Sequence, residues 1–343
     1  MFTDVLGSKS KIAAGALLLA IIPSAVFAHV RWFTDPNDPA LATFPTYSLT
    51  DTHVLVWIGI SLVMILAAIA LDGRLPRISI VDTKYRHDAI QLLRIFTGIS
   101  LLLTAYSGAL IAPHMVAYGG LGTTLLFAQA ILGIMLMANL FIHHAAILLI
   151  LLVLGTMVQY GFLKGLEYIN FIGIALYLFF NFVPDQNLRM KLKPYSVDTL
   201  RIFTGIAFIT LGVTEKITGA VLGQSFVDYY NWNFMQMLGF EWFTDQLLVL
   251  SAGAVEVTMG IILVLGVVTR LTIIAISAVM FASNIAFLLM GLNEPALVEF
   301  VGHMPLIATA ILLMLLGYGQ RLKVDNPTLN KPKSPTLATT PAE

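Results

Sequence analysis

Two ionisable residues lie deep inside apolar stretches of the sequence, where a charge is rarely placed without a purpose. Glu256 follows Gly253-Ala254-Val255 in one such run, and a rise of about 1.5 Å per residue places it about 18 Å from the predicted helix end. A charge at that depth costs about 2.5–3.5 kcal/mol, so it must be paired, protonated or open to a water-filled cavity. Lys216 lies far along another apolar run and has a side chain long enough to reach it. The sequence therefore predicts an intramembrane Lys216–Glu256 pair.

The predicted pair fits two roles, which the sequence leaves open: it fixes the packing of two helices, or it forms a site for a proton or a ligand headgroup. Arg201 lies early in its own apolar run. Its guanidinium either reaches the lipid headgroups or binds a neighbouring helix as a buried clamp, and we expect it to reach the headgroups. His303 stands just before Pro305 at a predicted helix start, where Glu299 and Glu215 are candidate neighbours. The candidate catalytic or ligand-binding residues are Glu256, Lys216, Arg201 and His303.

The N-terminal apolar run has two interpretations, and the only metal candidate depends on them. Lys9 and Lys11 precede a run that ends at Ala28, as in a signal peptide. Cleavage there would leave His29 with a free amino group and an imidazole, a ligand set for copper. Without cleavage, the run is an anchor helix and residues 29–33 form an aromatic and basic collar at the membrane interface. We expect the anchor and predict no other metal site.

The composition is that of an integral membrane protein and excludes several functions. Of 343 residues, 58% are hydrophobic and 11% are charged, and the mean hydropathy is +0.87. The formal net charge is zero, so no overall field attracts nucleic acid. The chain contains no cysteine, which excludes disulfides, thiol catalysis and thiolate-bound metals. Redox chemistry would therefore require a bound cofactor, which the composition does not identify.

Apolar runs predict an all-α, polytopic membrane bundle of about ten spans. Of the 19 Lys and Arg residues, all but Arg31, Lys164 and Lys216 fall on one side of this arrangement. Basic residues favour the cytoplasmic side, so both termini are predicted to be cytoplasmic, in an inner membrane, if the first span is retained. The predicted spans are 12–28, 53–71, 89–112, 119–139, 142–160, 166–184, 197–218, 246–267, 271–290 and 300–318.

An internal duplication organises these spans. The heptapeptide Leu-Arg-Ile-Phe-Thr-Gly-Ile occurs at 93–99 and again at 200–206, which indicates two tandem, parallel four-helix units. The first unit has Ala109 and Gln129 where Lys216 and Glu256 align, and loss of both charges together is what a mutually neutralising pair predicts. The predicted domains are a signal or anchor helix with an accessory helix (1–84), the first unit (85–190), the second unit (195–320) and a disordered cytoplasmic tail (321–343).

The second unit resembles a known family. Arg201, Gly205, Gly212 and Lys216, the run at 253–270 and the glycine-rich ending at 317–325 together resemble the DoxX/DoxD family of four-helix membrane proteins. The resemblance covers about 195–325, with the first unit as a diverged copy. It implies a membrane subunit associated with respiratory redox, because family members include a quinone-linked subunit of thiosulfate oxidation and membrane partners in oxidant-defence complexes.

Three functions follow for testing. The leading hypothesis is a redox-associated, quinone-linked membrane subunit with a protein partner in a redox complex and Glu256 as its proton partner. The second is a non-enzymatic anchor for an oxidoreductase. The third is a small-solute transporter, ranked last because no helix shows Gly or Pro interruptions at matching positions in both units.

Overall fold

The computed structural model describes residues 29–72, 74 and 83–316, with the backbone alone at 83–86. Within this part the chain is all-helical, and eight helices are long and apolar enough to cross a membrane. The predicted span 12–28 and tail 321–343 lie outside the described residues, and 166–184 contains a shorter helix. The main helices are α1 (Thr52–Asp72), α2 (Thr83–Tyr106), α3 (Gly119–Met137), α4 (Ile142–Tyr160), α5 (Asn170–Phe182), α6 (Ser196–Leu211), α7 (Ala220–Tyr230), α8 (Asp245–Leu265), α9 (Thr269–Leu289) and α10 (Asn293–Leu316).

The helices pack as a closed bundle with two matching seams. Within the first predicted unit, α2 packs on α3, α3 on α4 and α4 on α5; in the second, α6 packs on α8 and α9 on α10. The units meet where α5 lies along α6 and where α10 lies along α2, so the last helix of each unit contacts the first helix of the other. A tandem duplication predicts that these two contacts between units are equivalent. The duplication itself stays a prediction. Helix α1 packs outside the bundle, against α8.

Pairs of glycines bring α2 into backbone contact with α3, and α6 into backbone contact with α8. A Cβ on Gly205 would lie 2.7 Å from the carbonyl oxygen of Gly260, and a Cβ on Gly98 would lie 2.9 Å from that of Gly133. Such small residues allow close helix approach where hydrophobic association is weak. On α8, Gly260 faces α6, and Gly253 faces residues 212–217, which follow α6.

Arg201 and Arg94 hold these helix pairs together from inside. The Arg201 guanidinium donates hydrogen bonds to the carbonyls of Leu263 and Val264 at the end of α8, and Arg94 bonds the end of α3 in the same way. Both arginines are buried. The expected reach to lipid headgroups is therefore wrong: the last carbonyls of a helix have no partner within it, and a guanidinium supplies them with donors.

In the first helix of each predicted unit, regular α-helical geometry ends before the predicted end of the span. Regular α-helix stops at Tyr106 in α2 and at Leu211 in α6, rather than near 112 and 218. After α2 the chain folds back into the bundle, where the Gln129 side chain accepts from the Ile111 amide at 2.9 Å and donates to the Ala109 carbonyl at 3.2 Å. After α6 the helix continues to Ile217 as a π-helical turn. The predicted span 89–112 is therefore too long, whereas the predicted span 197–218 is helical to Ile217 but not α-helical throughout.

Candidate functional site

A π-helical turn at Gly212–Ile217 aims Lys216 at α8. Its Nζ lies 2.6 Å from Glu256 Oε1, so the predicted pair is present. The backbones approach closely here, since a Cβ on Gly253 would lie 2.9 Å from the Lys216 Cβ and one on Gly212 would lie 2.9 Å from the Gly253 carbonyl oxygen. Single π-turns within α-helices occur frequently at functional sites, because they redirect side chains that a regular helix would face elsewhere.

The ion pair forms one wall of a mostly apolar cavity among α6, α8, α9 and α10. The space open to water-sized molecules is about 40 Å³. Small-molecule sites typically occupy about 300–1,000 Å³, so a larger ligand requires the lining side chains to move, but the combination of apolar walls with a few polar groups is the one such sites have. The polar side chains are Lys216, Glu256, His29 and His303, and the apolar ones are Phe208, Leu211, Ala252, Val255, Met259, Ile276, Val279, Met280 and Leu306.

His303 and His29 lie side by side in the cavity wall. Their ring centroids are 5.3 Å apart, and the His29 ring also stacks on Trp32 at 4.4 Å. His303 Nδ1 lies 3.9 Å from Glu299 Oε1, one turn earlier on α10. Burial lowers the pKa of His29 well below its usual value, with His303 and Lys216 as the next causes. A lowered pKa keeps the His29 imidazole neutral near pH 7.

The segment 29–33 enters the bundle instead of forming an interfacial collar. Arg31 Nη1 lies 2.6 Å from Glu167 Oε1, which also accepts from the Thr214 hydroxyl at 2.7 Å. The Trp32 ring occupies the space beside Gly302, where an added Cβ would lie 2.1 Å from the ring. The collar interpretation is wrong, because Arg31 and Trp32 have partners inside the protein: Glu167 binds Arg31, and the space beside Gly302 holds the Trp32 ring. Whether residues 1–28 are removed lies outside the described residues.

Of the four predicted site residues, three meet and one does not. Lys216, Glu256 and His303 line the same cavity. Arg201 bonds the far end of α8, where its guanidinium lies against Gly266, and it is removed from the candidate set. Sequence reasoning missed the contribution of the 29–33 segment to the cavity; the aromatic and basic pattern was visible, but it is equally typical of a membrane interface.

The described residues contain no group of three or more His, Cys, Asp or Glu side chains able to hold a metal ion. The copper hypothesis at His29 therefore still depends on a free amino group at that residue.

The comparison with known proteins gives one match. The family model described as DoxX matches residues 196–291, which run from the first residue of α6 through α9 and include Lys216 and Glu256. Neither α10 with His303 nor the first predicted unit falls inside this match. Among curated proteins and among solved structures, no chain matches this one. The chain is thus a multi-pass, all-helical membrane protein whose segment 196–291 is similar to the DoxX family.

Proposed function

We propose that the protein is a redox-associated membrane subunit that binds a quinone headgroup in the cavity beside Lys216 and Glu256. The observation that carries the proposal is an ion pair and two histidines set into an otherwise apolar wall at membrane depth. A quinone has a polar, proton-accepting ring and an apolar tail, so it needs this combination of surfaces. A solvated small substrate would not need so apolar a wall.

The residues present fit such a headgroup. Glu256 Oε2 is buried and has no hydrogen-bond partner in the part of the chain that the structure describes, so one carboxylate oxygen remains for a ligand while Oε1 binds Lys216. Lys216 Nζ can donate to a ring carbonyl, and Glu256 can hold or release a proton at Oε2. His303, on the adjoining helix, can donate or accept through one ring nitrogen. A bound quinone would supply the two-electron, two-proton chemistry.

The membrane and partner are part of the same proposal. The distribution of Lys and Arg supports an inner membrane with both termini in the cytoplasm, if the first span is retained. The sequence contains no cysteine, so no thiol of this chain can supply the electrons. We therefore propose a protein partner that carries the second redox centre, with this chain as its quinone-binding, membrane-embedded subunit.

Quinone binding to the purified protein tests the proposal directly. A short-chain quinone analogue is titrated against the wild type, Glu256→Gln and Lys216→Met in detergent, with binding followed by quenching of tryptophan fluorescence. We expect binding by the wild type and its loss in both variants. Glu294→Gln, an exposed acid on α10, is the matched control and should bind normally. Unchanged binding by Glu256→Gln removes that residue from the site.

An anchoring role is the outcome if no quinone binds to a folded wild-type protein. Copurification with an oxidoreductase, without any bound cofactor in this chain, would then identify the scaffold. The quinone titration and the copurification are independent measurements, so each hypothesis has its own result.

Small-solute transport is a second candidate because of one observation. The lead helices of both predicted units lose regular α-helical geometry after Tyr106 and Leu211, and interrupted helices at matching positions are typical of transporter sites. Proteoliposomes placed in permeant test solutes should then swell faster than protein-free vesicles. The swelling should be slower with Glu256→Gln. Equal swelling rates with and without protein exclude transport of those solutes.

A further inference from the structure

In the part of the chain that the structure describes, the buried cluster of Arg31, Glu167, Glu215, Lys216 and Glu256 contains one more acid than strong base. Arg31 binds Glu167 at 2.6 Å, and Lys216 binds Glu256 at 2.6 Å. The third acid is Glu215, which is 0% exposed. In the described part of the chain, neither carboxyl oxygen of Glu215 has a hydrogen-bond partner. Each cation therefore bonds a different carboxylate, and Glu215 is left to their longer-range fields.

The surroundings of Glu215 favour its neutral form. A fully buried carboxylate without hydrogen bonds is strongly destabilised, and proteins generally relieve this by taking up a proton. The two cations stabilise a charge on Glu215, but the two ionised acids oppose it, and both cations already bond those acids. The titratable groups that face Glu215 are His29, Arg31, Glu167, Tyr168, Lys216 and Glu256.

A proton acceptor lies between Glu215 and the cavity. His29 Nδ1 is 4.0 Å from Glu215 Oε2, a separation that one bridging water or a small side-chain rotation closes. The neutral His29 ring can accept a proton at a free ring nitrogen. Its neighbour His303 is 5.3 Å away between ring centroids, and both histidines line the cavity.

We propose that Glu215 is a proton-binding carboxylic acid that exchanges its proton with the cavity through His29. In the forward step the Glu215 O–H bond breaks and the proton joins Nδ1 of His29, which leaves a carboxylate and an imidazolium. The imidazolium then releases the proton from Nε2 towards the cavity and returns to a neutral ring. One proton moves, and no electron does. The use of this proton in quinone chemistry rests on the proposed function; the protonated state of Glu215 does not.

Infrared spectroscopy of the purified, quinone-free protein at neutral pH tests the protonated state. A protonated carboxyl gives a C=O stretching band that an ionised one lacks. The wild-type minus Glu215→Gln difference spectrum should show the loss of one such band, and Glu215→Asp should shift the band without removing it. Glu241→Gln, an exposed acid in a loop, should change no carboxylic C=O band. A spectrum unchanged in both Glu215 variants overturns the proposal.

The path through His29 has a second readout. On transfer to D₂O, the Glu215 band should shift as its proton exchanges, and His29→Phe should slow that shift while leaving the band itself in place. An exchange rate unchanged by His29→Phe would overturn the assignment of His29 as the carrier. No quinone is present in either infrared measurement. Both measurements therefore test the proposal even if the quinone-binding experiment fails.

Discussion

The Lys216–Glu256 pair should reveal itself as a large coupling in a double-mutant cycle. Removing one partner of a buried ion pair costs about 3–5 kcal/mol, because the other charge is stranded. The Glu256 side chain is 19% exposed and that of Lys216 is 3% exposed. The partial exposure of Glu256 reduces the penalty, so we expect about 3 kcal/mol for Lys216→Met and about the same for Glu256→Gln.

The double replacement should be much less harmful than the sum of the single ones. It strands no charge, and exchanging a buried pair for neutral groups of similar volume is often close to neutral. The coupling energy should therefore be at least about 2 kcal/mol, well above the roughly 0.5 kcal/mol within which independent sites add. The chain itself contains a precedent, since Ala109 and Gln129 stand at the aligned positions of the first predicted unit.

Reversible unfolding in detergent micelles provides the measurement. Helicity is followed by circular dichroism across a denaturant titration, and the free energy of unfolding is compared for wild type, both single variants and the double variant. Thr46→Ala, an exposed position in the loop before α1, is the control and should leave the midpoint unchanged. If the double variant loses as much stability as the two single variants combined, the pair carries no coupling and the reasoning fails.

Three further variants test the packing that positions the site. Gly260→Ala should lower the free energy of unfolding by about 1–3 kcal/mol through overpacking, since its Cβ would lie 2.6 Å from a backbone oxygen, whereas Gly59→Ala, with nothing within 4 Å, should not; equal midpoints would contradict the close approach. Arg201→Met leaves buried carbonyls at the end of α8 without donors and should lower the free energy of unfolding by about 1–3 kcal/mol in the same assay. An unchanged midpoint would mean that lipid or water supplies these donors instead. Gly302→Ala should displace the Trp32 ring and red-shift tryptophan emission. An identical emission spectrum would show that the Trp32 ring does not occupy the space beside Gly302.

Local patterns allowed part of the site to be predicted. The depth of Glu256 in an apolar run requires a partner wherever the helix packs, and Lys216 was the cation within reach. His303 was singled out with Glu299 and Glu215 as candidate neighbours, but nothing in the sequence showed that it would lie beside the Lys216–Glu256 pair. Its meeting with the pair depends on which helices are adjacent, and hydropathy sets helix length and depth without setting adjacency.

The errors have a common physical origin. Arg201 and residues 29–33 carry amphipathic side chains, which satisfy their polar groups equally well in lipid headgroups or against another part of the protein. Sequence patterns measure the polarity of a side chain and leave its partner unidentified. The partners proved to be the α8 carbonyls for Arg201 and Glu167 for Arg31, which lie 63 and 136 residues away.

The comparison of the two predicted units bears on whether the ion pair serves packing or chemistry. In the first predicted unit, α2 and α3 approach through Gly98 and Gly133 nearly as closely as α6 and α8 do, with no ion pair between the side chains that the structure describes on these two helices. The aligned Gln129 uses its amide to bond the folded-back chain after α2. Close packing of these helices therefore does not require a buried acid and base. A pair that is expensive at this depth and unnecessary for the helix contact is better explained by what it presents to the cavity.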